Sequence, residues 1–173
     1  MKRLVEEDTV IKVYEGSQED SMALLRWYNE LLATGDLEKV LFPGTHILGE
    51  FMAYFHSGKV RLVYIPDDAG AMKLVTWGEG LANGLIMFSL WMRPVFAHSR
   101  AGVQAAYDLY REIFEIFTVI QGITKQERLL KLHKKWGYEV VAKIPGIWAG
   151  VEDGWLVQLT KDNFYAACGR EGE

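Results

Sequence analysis

Two groups of residues in this chain could do chemistry, and both fall between Trp91 and Tyr138. The first is the helix end Leu132-His133-Lys134-Lys135-Trp136-Gly137-Tyr138. Leu129, Leu132, His133 and Trp136 share one face at helical spacing, with Lys131, Lys134 and Lys135 mostly off it. Imidazole can donate a proton near neutral pH, so an inward histidine can act as an acid. The same placement also suits a hydrogen-bonded, inert core histidine. The second group is Ser99-Arg100-Ala101-Gly102-Val103-Gln104, where a loop enters a helix. Such an entry exposes unpaired backbone N–H groups at the positive end of the helix dipole, an anion site that needs no catalytic side chain. Gly102 permits close backbone approach and Arg100 adds a charged contact. An ordinary strand-helix turn would look the same.

Other chemistries find little material. His46 and Glu50 stand four apart with no third ligand at motif spacing, so no metal site is expected. There is no phosphate-binding P-loop and no nucleophile elbow. The lone Cys168 excludes an intrachain disulfide. A net charge of -4 gives no footprint for nucleic acid or an anionic membrane. The opening Met1-Lys2-Arg3-Leu4-Val5-Glu6-Glu7-Asp8 has no apolar signal-peptide core, and no window reaches ~18 uninterrupted apolar residues. A cytoplasmic protein is expected. The six tryptophans are core or interface material. Trp148, in Pro145-Gly146-Ile147-Trp148-Ala149-Gly150, is expected on an exposed loop, where it would suggest a substrate lid or a partner, either another protein or a second copy.

The 173 residues, half of them hydrophobic, fit one domain with a sizeable core, spanning 1–173. Val10 to Tyr14 reads as a first strand. Ser17 or Asp20 caps a helix whose inward face is Met22, Leu25, Tyr28, Leu31 and Leu32, ended by Gly35. Asp36 to Phe42 is a short helix stopped by Pro43-Gly44, and Ile47 to Phe55 favours helix. Lys59 to Ile65 and Ala71 to Trp77 form a hairpin around Pro66-Asp67-Asp68-Ala69-Gly70. Gly78, Gly80 and Gly84 punctuate the next connection. Leu85 to Met92 is almost continuously apolar, a central strand covered on both faces, closed by Pro94. Gly102 to Phe117 is the longest clear helix and Val119 to Ile123 a brief strand. Thr124 and Glu127 predict a capping box for the helix that carries His133. Tyr138 to Ile144 and Trp155 to Thr160 are closing strands, separated by a long connection that includes Glu152-Asp153-Gly154. The pattern predicts an α/β domain with a mixed sheet.

This order, with the two motifs, resembles the GNAT-type N-acetyltransferases. The resemblance implies a single domain with a central, splayed sheet that opens after Met92 and is flanked by helices. It implies acetyl-CoA as co-substrate and an amine as acceptor. The family's loop motif is Q/R-x-x-G-x-G/A; here Gly102 takes the first glycine position, Ser99 stands for the Arg or Gln, and Gln104 replaces the last Gly or Ala. Ser99 to Gln104 would then hold the pyrophosphate, and the strand edge Trp91-Met92-Arg93 the pantetheine arm. The family's L-Y-x-K-x-G-F/Y is met by Lys135, Gly137 and Tyr138. His133 takes the place of the tyrosine that protonates the leaving thiolate, and Gln126 is nearest to a helix-start asparagine. A base for the amine is implied near the central strands; Glu79 is nearest, with Glu50 and His98 as others. The alternative is a catalytically degenerate protein of this fold, serving binding or assembly, such as a component of a tailed-phage virion.

Overall fold

The structure, a computed structural model, describes residues 10–41, 46–82, 84–148 and 152–169. Its elements are β1 (Lys12–Val13), α1 (Gln18–Thr34), α2 (Leu37–Val40), α3 (Leu48–His56), β2 (Arg61–Pro66), β3 (Met72–Ala82) and β4 (Leu85–Met92). There follow α4 (Pro94–Ala97), α5 (Arg100–Ile116), β5 (Val119–Thr124), α6 (Glu127–Lys135), β6 (Glu139–Trp148), β7 (Glu152–Thr160) and α7 (Lys161–Cys168). Seven strands form one mixed sheet in the order β1-β2-β3-β4-β5-β7-β6. Only β4 and β5 pair in parallel.

The apolar run Leu85–Met92 is the central strand, as its composition requires. Ile86 and Phe88 enter a core shared with Leu109, Phe114 and Phe164 of α5 and α7. Trp91 enters a second core, on the other face, with Trp27, Phe51 and Phe55 of α1 and α3. Alternation along one strand therefore feeds two cores. In the second, the Trp27 ring lies 5.6 Å from Phe51, 5.5 Å from Trp77 and 5.9 Å from Trp91. This cluster sets the rotation of α1. Trp27 is fully buried, whereas Met22 and Leu32, expected inward, are 45% and 58% exposed.

The parting of β4 from β5 begins earlier than expected. Their pairing covers three positions, Leu85↔Val119, Ile86↔Ile120 and Met87↔Gln121. Beyond Met87, β4 stays with β3 as far as Met92, while β5 follows β7 to Thr124. The gap therefore opens after Met87, five residues before Met92. Each half follows its own partner, and sheet twist carries the two apart.

Several local expectations are corrected. Gly78 and Gly80 lie inside β3, not in a connection. A Cβ on Gly78 would meet Ile86 Cδ1 and the Met87 carbonyl at 2.8 Å, so that strand crossing needs glycine. The capping box at Thr124 does not form. Thr124 ends β5 and its Oγ1 accepts the Gln126 N–H at 3.2 Å, leaving Gln126 as N-cap. The connection before β7 is short, because β6 runs to Trp148 and β7 starts at Glu152. Gly146 takes a φ of 61° and donates its N–H to Asp153 Oδ1 at 3.1 Å, which accommodates Pro145 on an edge strand. Trp148 is thus in a strand; its side chain lies outside the described residues, as do Ala149 and Gly150. So does the Phe42-Pro43-Gly44 stop. The short α4 and the closing α7 have no counterpart in the sequence reading. α7 is weakly amphipathic, with Phe164 its one buried residue, and starts where Thr160 Oγ1 accepts the Asn163 N–H. No described helix is long and apolar enough to cross a membrane.

The N-terminal layer is pinned by Asp20. Ser17 caps α1 and Asp20 answers in a full capping box. Asp20 is 6% exposed and accepts from the Glu15 and Ser17 amides, Ser17 Oγ and, at 2.8 Å, the Tyr64 hydroxyl. Burial alone would raise its pKa; the Tyr64 and Ser17 bonds outweigh that and hold it below 3.8. A depressed carboxylate stabilises above its unfolded pKa and loses that contribution as pH falls. Tyr64→Phe is therefore expected to cost about 1.5–3 kcal/mol in urea unfolding at neutral pH. The difference from wild type should shrink as pH falls below 3.8. A difference that stays constant as pH falls further would show that Asp20 is not the partner that matters.

Candidate active site

The parted strands leave a cleft of about 400 Å³. Phe88 to Met92 of β4 form one side, and Gly122, Ile123 and Thr124 of β5 the other. Leu129, Leu132 and His133 of α6, with Val103, Ala106 and Tyr110 of α5, close one end. Trp77, with Lys39 and Val40 of α2, closes the other. The lining is mostly apolar with few convergent polar groups, the usual character of a small-molecule site.

His133 is the polar group that stands out. It lines the cleft, its Nδ1 is buried, and no protein atom is its hydrogen-bond partner. Its ring packs 5.1 Å from that of Tyr138. Burial pulls the imidazole pKa below 6.5, so it is neutral at pH 7. Buried polar atoms are nearly always bonded; among the described residues His133 Nδ1 and, in the other core, Trp27 Nε1 lack a partner, and of the two residues only His133 lines the cleft. Tyr110 and Tyr138 lie on the same wall with their hydroxyls 2.9 Å apart. Burial raises both, Tyr110 to about 12.

The other residues singled out in the sequence divide. Trp91, Met92, Val103 and Gln126 line the cleft. Arg93 does not. Its guanidinium grips Glu30 through Nε and Nη2 at 2.8 and 2.9 Å, and Asp67 through Nη1 at 2.8 Å. Its backbone N–H donates to the Lys73 carbonyl. Arg93 thus ties α1 and the β2–β3 turn to the end of β4. The hydrogen bond to Glu30 leads in raising its pKa. Glu79 pairs across from Met87 on β3, exposed and off the cleft wall. Glu50 and His98 are exposed and also off it. Among the described residues no cluster could hold a metal ion.

The start of α5 differs from the expected anion cradle. Ser99 caps the helix: its Oγ accepts the Gly102 N–H at 2.9 Å and donates to the Phe96 carbonyl at 2.7 Å. The Val103 N–H goes to the Ser99 carbonyl. A Cβ on Gly102 would fall 2.0 Å from the Phe96 carbonyl oxygen. Gly102 is therefore needed for close approach by the chain itself, through α4. The amides of Arg100 and Ala101 remain as the first two of the helix, without intrahelical acceptors. Gln104 turns away to Asp108 at 3.1 Å.

Sequence reasoning did not find Lys39 and Lys125 on the lining. Lys125 donates to the Glu38 carbonyl at 2.8 Å and pairs with Glu152 at 3.2 Å, joining α2 to β7 across the cleft end. Its place just after a parallel strand was the available signal, since α/β sites gather at carboxyl ends of such strands. None of the tryptophans with a described side chain is fully exposed: Trp27, Trp77 and Trp91 are buried, Trp136 and Trp155 half-buried.

No family model matches the sequence, and no curated protein does. Solved structures match over nearly the whole chain. A GNAT-superfamily phosphinothricin acetyltransferase from Sinorhizobium meliloti, in complex with acetyl-CoA, is 14% identical at a TM-score of 0.58, over 87% of this chain and 88% of that one. A ribosomal-protein-alanine N-acetyltransferase from Brucella melitensis is 14% identical at 0.63, over 87% and 99%. A spermidine N-acetyltransferase from Vibrio cholerae, in complex with CoA and spermine, is 9% identical at 0.63, over 89% and 97%. At such identities the likeness is one of architecture. The chain has the fold of the GNAT-superfamily N-acetyltransferases.

Proposed function

We propose that this protein is an acetyl-CoA-dependent N-acyltransferase in which an amine attacks the thioester directly. The observation that carries the reading is His133 Nδ1, buried and unpartnered on the wall of the cleft between β4 and β5. Neighbours in fold that hold acetyl-CoA, or CoA with spermine, support it. The unpaired edge from Phe88 to Met92 suits the amide-bearing pantetheine arm, which would pair with it as an added strand. Acetyl-CoA supplies the activated acetyl group. The cleft holds it beside the amine, and proximity provides much of the acceleration. As the N–C bond forms, neutral His133 takes the proton that the amine releases. It passes that proton to the sulfur as the C–S bond breaks. Its depressed pKa makes acceptance the first act, where the sequence suggested donation. One residue then covers the base role for which Glu79 is badly placed.

A second reading, a non-catalytic GNAT-fold binding or assembly protein such as a phage virion component, is favoured by one observation. Ser99 and Phe96 occupy the helix start where a pyrophosphate would dock. The first reading goes with a cytoplasmic protein, the second with a virion. Calorimetry with millimolar acetyl-CoA separates them: heat and a raised melting temperature support the enzyme, and silence in both leaves the binding protein.

For the enzyme, His133→Phe should keep acetyl-CoA affinity and lower kcat by about 10²–10⁴. Since the neutral form accepts the proton, wild-type activity should fall as pH drops through a value below 6.5. That acid limb should vanish in the variant; an identical limb in both would exclude His133. Arg93→Ala should cost about 1.5–3 kcal/mol of stability by stranding Glu30 and Asp67, with acetyl-CoA affinity unchanged. A loss of affinity without a loss of stability would return Arg93 to the cofactor site.

A further inference from the structure

The two ends of the cleft lie on opposite faces of the sheet. Trp77 and Trp91 belong to the core under α1 and α3, whereas Phe88, Tyr110 and Tyr138 belong to the core under α5 and α7. All five line the cleft, so it passes through the sheet from one face to the other. The acyltransferase reading lays the cofactor's arm along Phe88 to Met92 with its thioester beside His133, on the α5–α6 side. The end at α2 is left for the amine. The chemistry of that end then selects the amine, a step that rests on the acyltransferase reading.

The charge on this lining is of one sign. Lys39 and Lys125 line the cleft, and among the described residues no carboxylate does. Lys125 Nζ donates to the Glu38 carbonyl at 2.8 Å, which sets this ammonium against the α2 backbone, one residue from Lys39. Each lysine has a carboxylate partner off the lining: Lys39 meets Asp36 at 2.7 Å, and Lys125 meets Glu152 at 3.2 Å. The Lys125 side chain is 15% exposed and anchored at both contacts, so its charge is fixed in place. That of Lys39 is 50% exposed, so this end reaches solvent. An ion pair so exposed holds its partners weakly, and a ligand's anion can take the place of Asp36. Beside the lysines, Val40, Trp77 and Trp91 make the wall apolar.

A wall with two cations and no anion discriminates between amines. The attacking nitrogen must be neutral, and a nearby ammonium favours the neutral form over the charged one. A polyamine that gives up one proton keeps its other charges. Those would enter an apolar gap beside like charges, with no counter-ion on the lining. An amine with a carboxylate is instead drawn in by charge-assisted hydrogen bonds. We propose that the acceptor is a free amino acid with an apolar side chain, its carboxylate held by Lys39 and Lys125 and its side chain against Val40 and Trp77. Its nitrogen bonds to the acetyl carbon as the C–S bond breaks. The proton that the nitrogen releases passes through His133 to sulfur, and the product keeps only its negative charge.

Acceptor kcat/KM is measured at one pH with L-leucine and L-phenylalanine, with their carboxamides, and with spermidine. The proteins are the wild type, Lys39→Met and Lys125→Met. Acid and carboxamide share one body, so the ratio between them, compared across the proteins, reports the carboxylate alone. That ratio should fall by about tenfold in each variant, mostly through KM, the scale of a lost charge-assisted hydrogen bond. Spermidine should be at least about tenfold poorer than the better amino acid in the wild type. Lys125→Met should melt lower, since Glu38 and Glu152 lose a partner, and Lys39→Met decides the matter if Lys125→Met does not fold. An unchanged ratio in folded Lys39→Met, spermidine as the better acceptor, or no turnover of either amino acid would overturn the assignment. With acetyl-CoA still bound, those results leave the acyltransferase reading standing. Weaker acetyl-CoA binding in the lysine variants would give the lysines to the cofactor's phosphates and would also overturn it. No acetyl-CoA binding by the wild type would remove both, and that shows before any acceptor is added.

Discussion

The architecture turns on how little holds β4 to β5. Three residue pairs join these parallel strands, from Leu85 and Val119 to Met87 and Gln121, and then each strand follows an antiparallel partner. Parallel pairing is slightly weaker per residue than antiparallel pairing, so the sheet opens at this seam. The opening creates the cleft, exposes a backbone edge at the middle of the domain, and brings α5 and α6 together across it. The two cores lie on opposite faces of the sheet: one is built around Trp27 on α1, and the other, around Phe164 on α7, takes residues from both sides of the seam.

The polar groups at the seam are unevenly satisfied, and the unevenness is informative. Away from it, buried charge is fully engaged. Asp20 takes four hydrogen bonds and Arg93 grips two carboxylates. The start of α5 is likewise served by its own Ser99. On the cleft wall His133 Nδ1 has no partner. The wall is thus short of a partner at the place where a polar ligand would supply one, and the helix start leaves the Arg100 and Ala101 amides without intrahelical acceptors.

Much of this was legible from residue pattern. The apolar run Leu85–Met92 announced a strand covered on both faces. Ser17, Gly35 and Gly137 marked helix ends, and the inward place of His133 followed from spacing with Leu129. What escaped was decided by tertiary contacts. The rotation of α1 follows from a ring cluster drawn from α1, α3, β3 and β4, which no local pattern contains. Thr124 could cap a helix or end a strand, and pairing with Trp155 of β7 made it end a strand. Gly102 looked like a glycine for a ligand and proved to be one for the Phe96 carbonyl. Arg93 looked like part of a binding edge, but its charge partners lie 63 and 26 residues away. The tyrosine pair was beyond reach, since 28 residues separate its members.

The central claim is that the unpaired edge of β4 is the binding edge. Amide hydrogen exchange, read residue by residue with and without acetyl-CoA, tests it most directly. The amides of Leu85 to Met87, already covered by β5, should be protected in both states. Those between Phe88 and Met92 that face the gap should slow by at least about tenfold when acetyl-CoA is present, as a strand is added to the sheet. Slowing confined to the outer strands β1 or β6, with Phe88 to Met92 unchanged, would contradict the account.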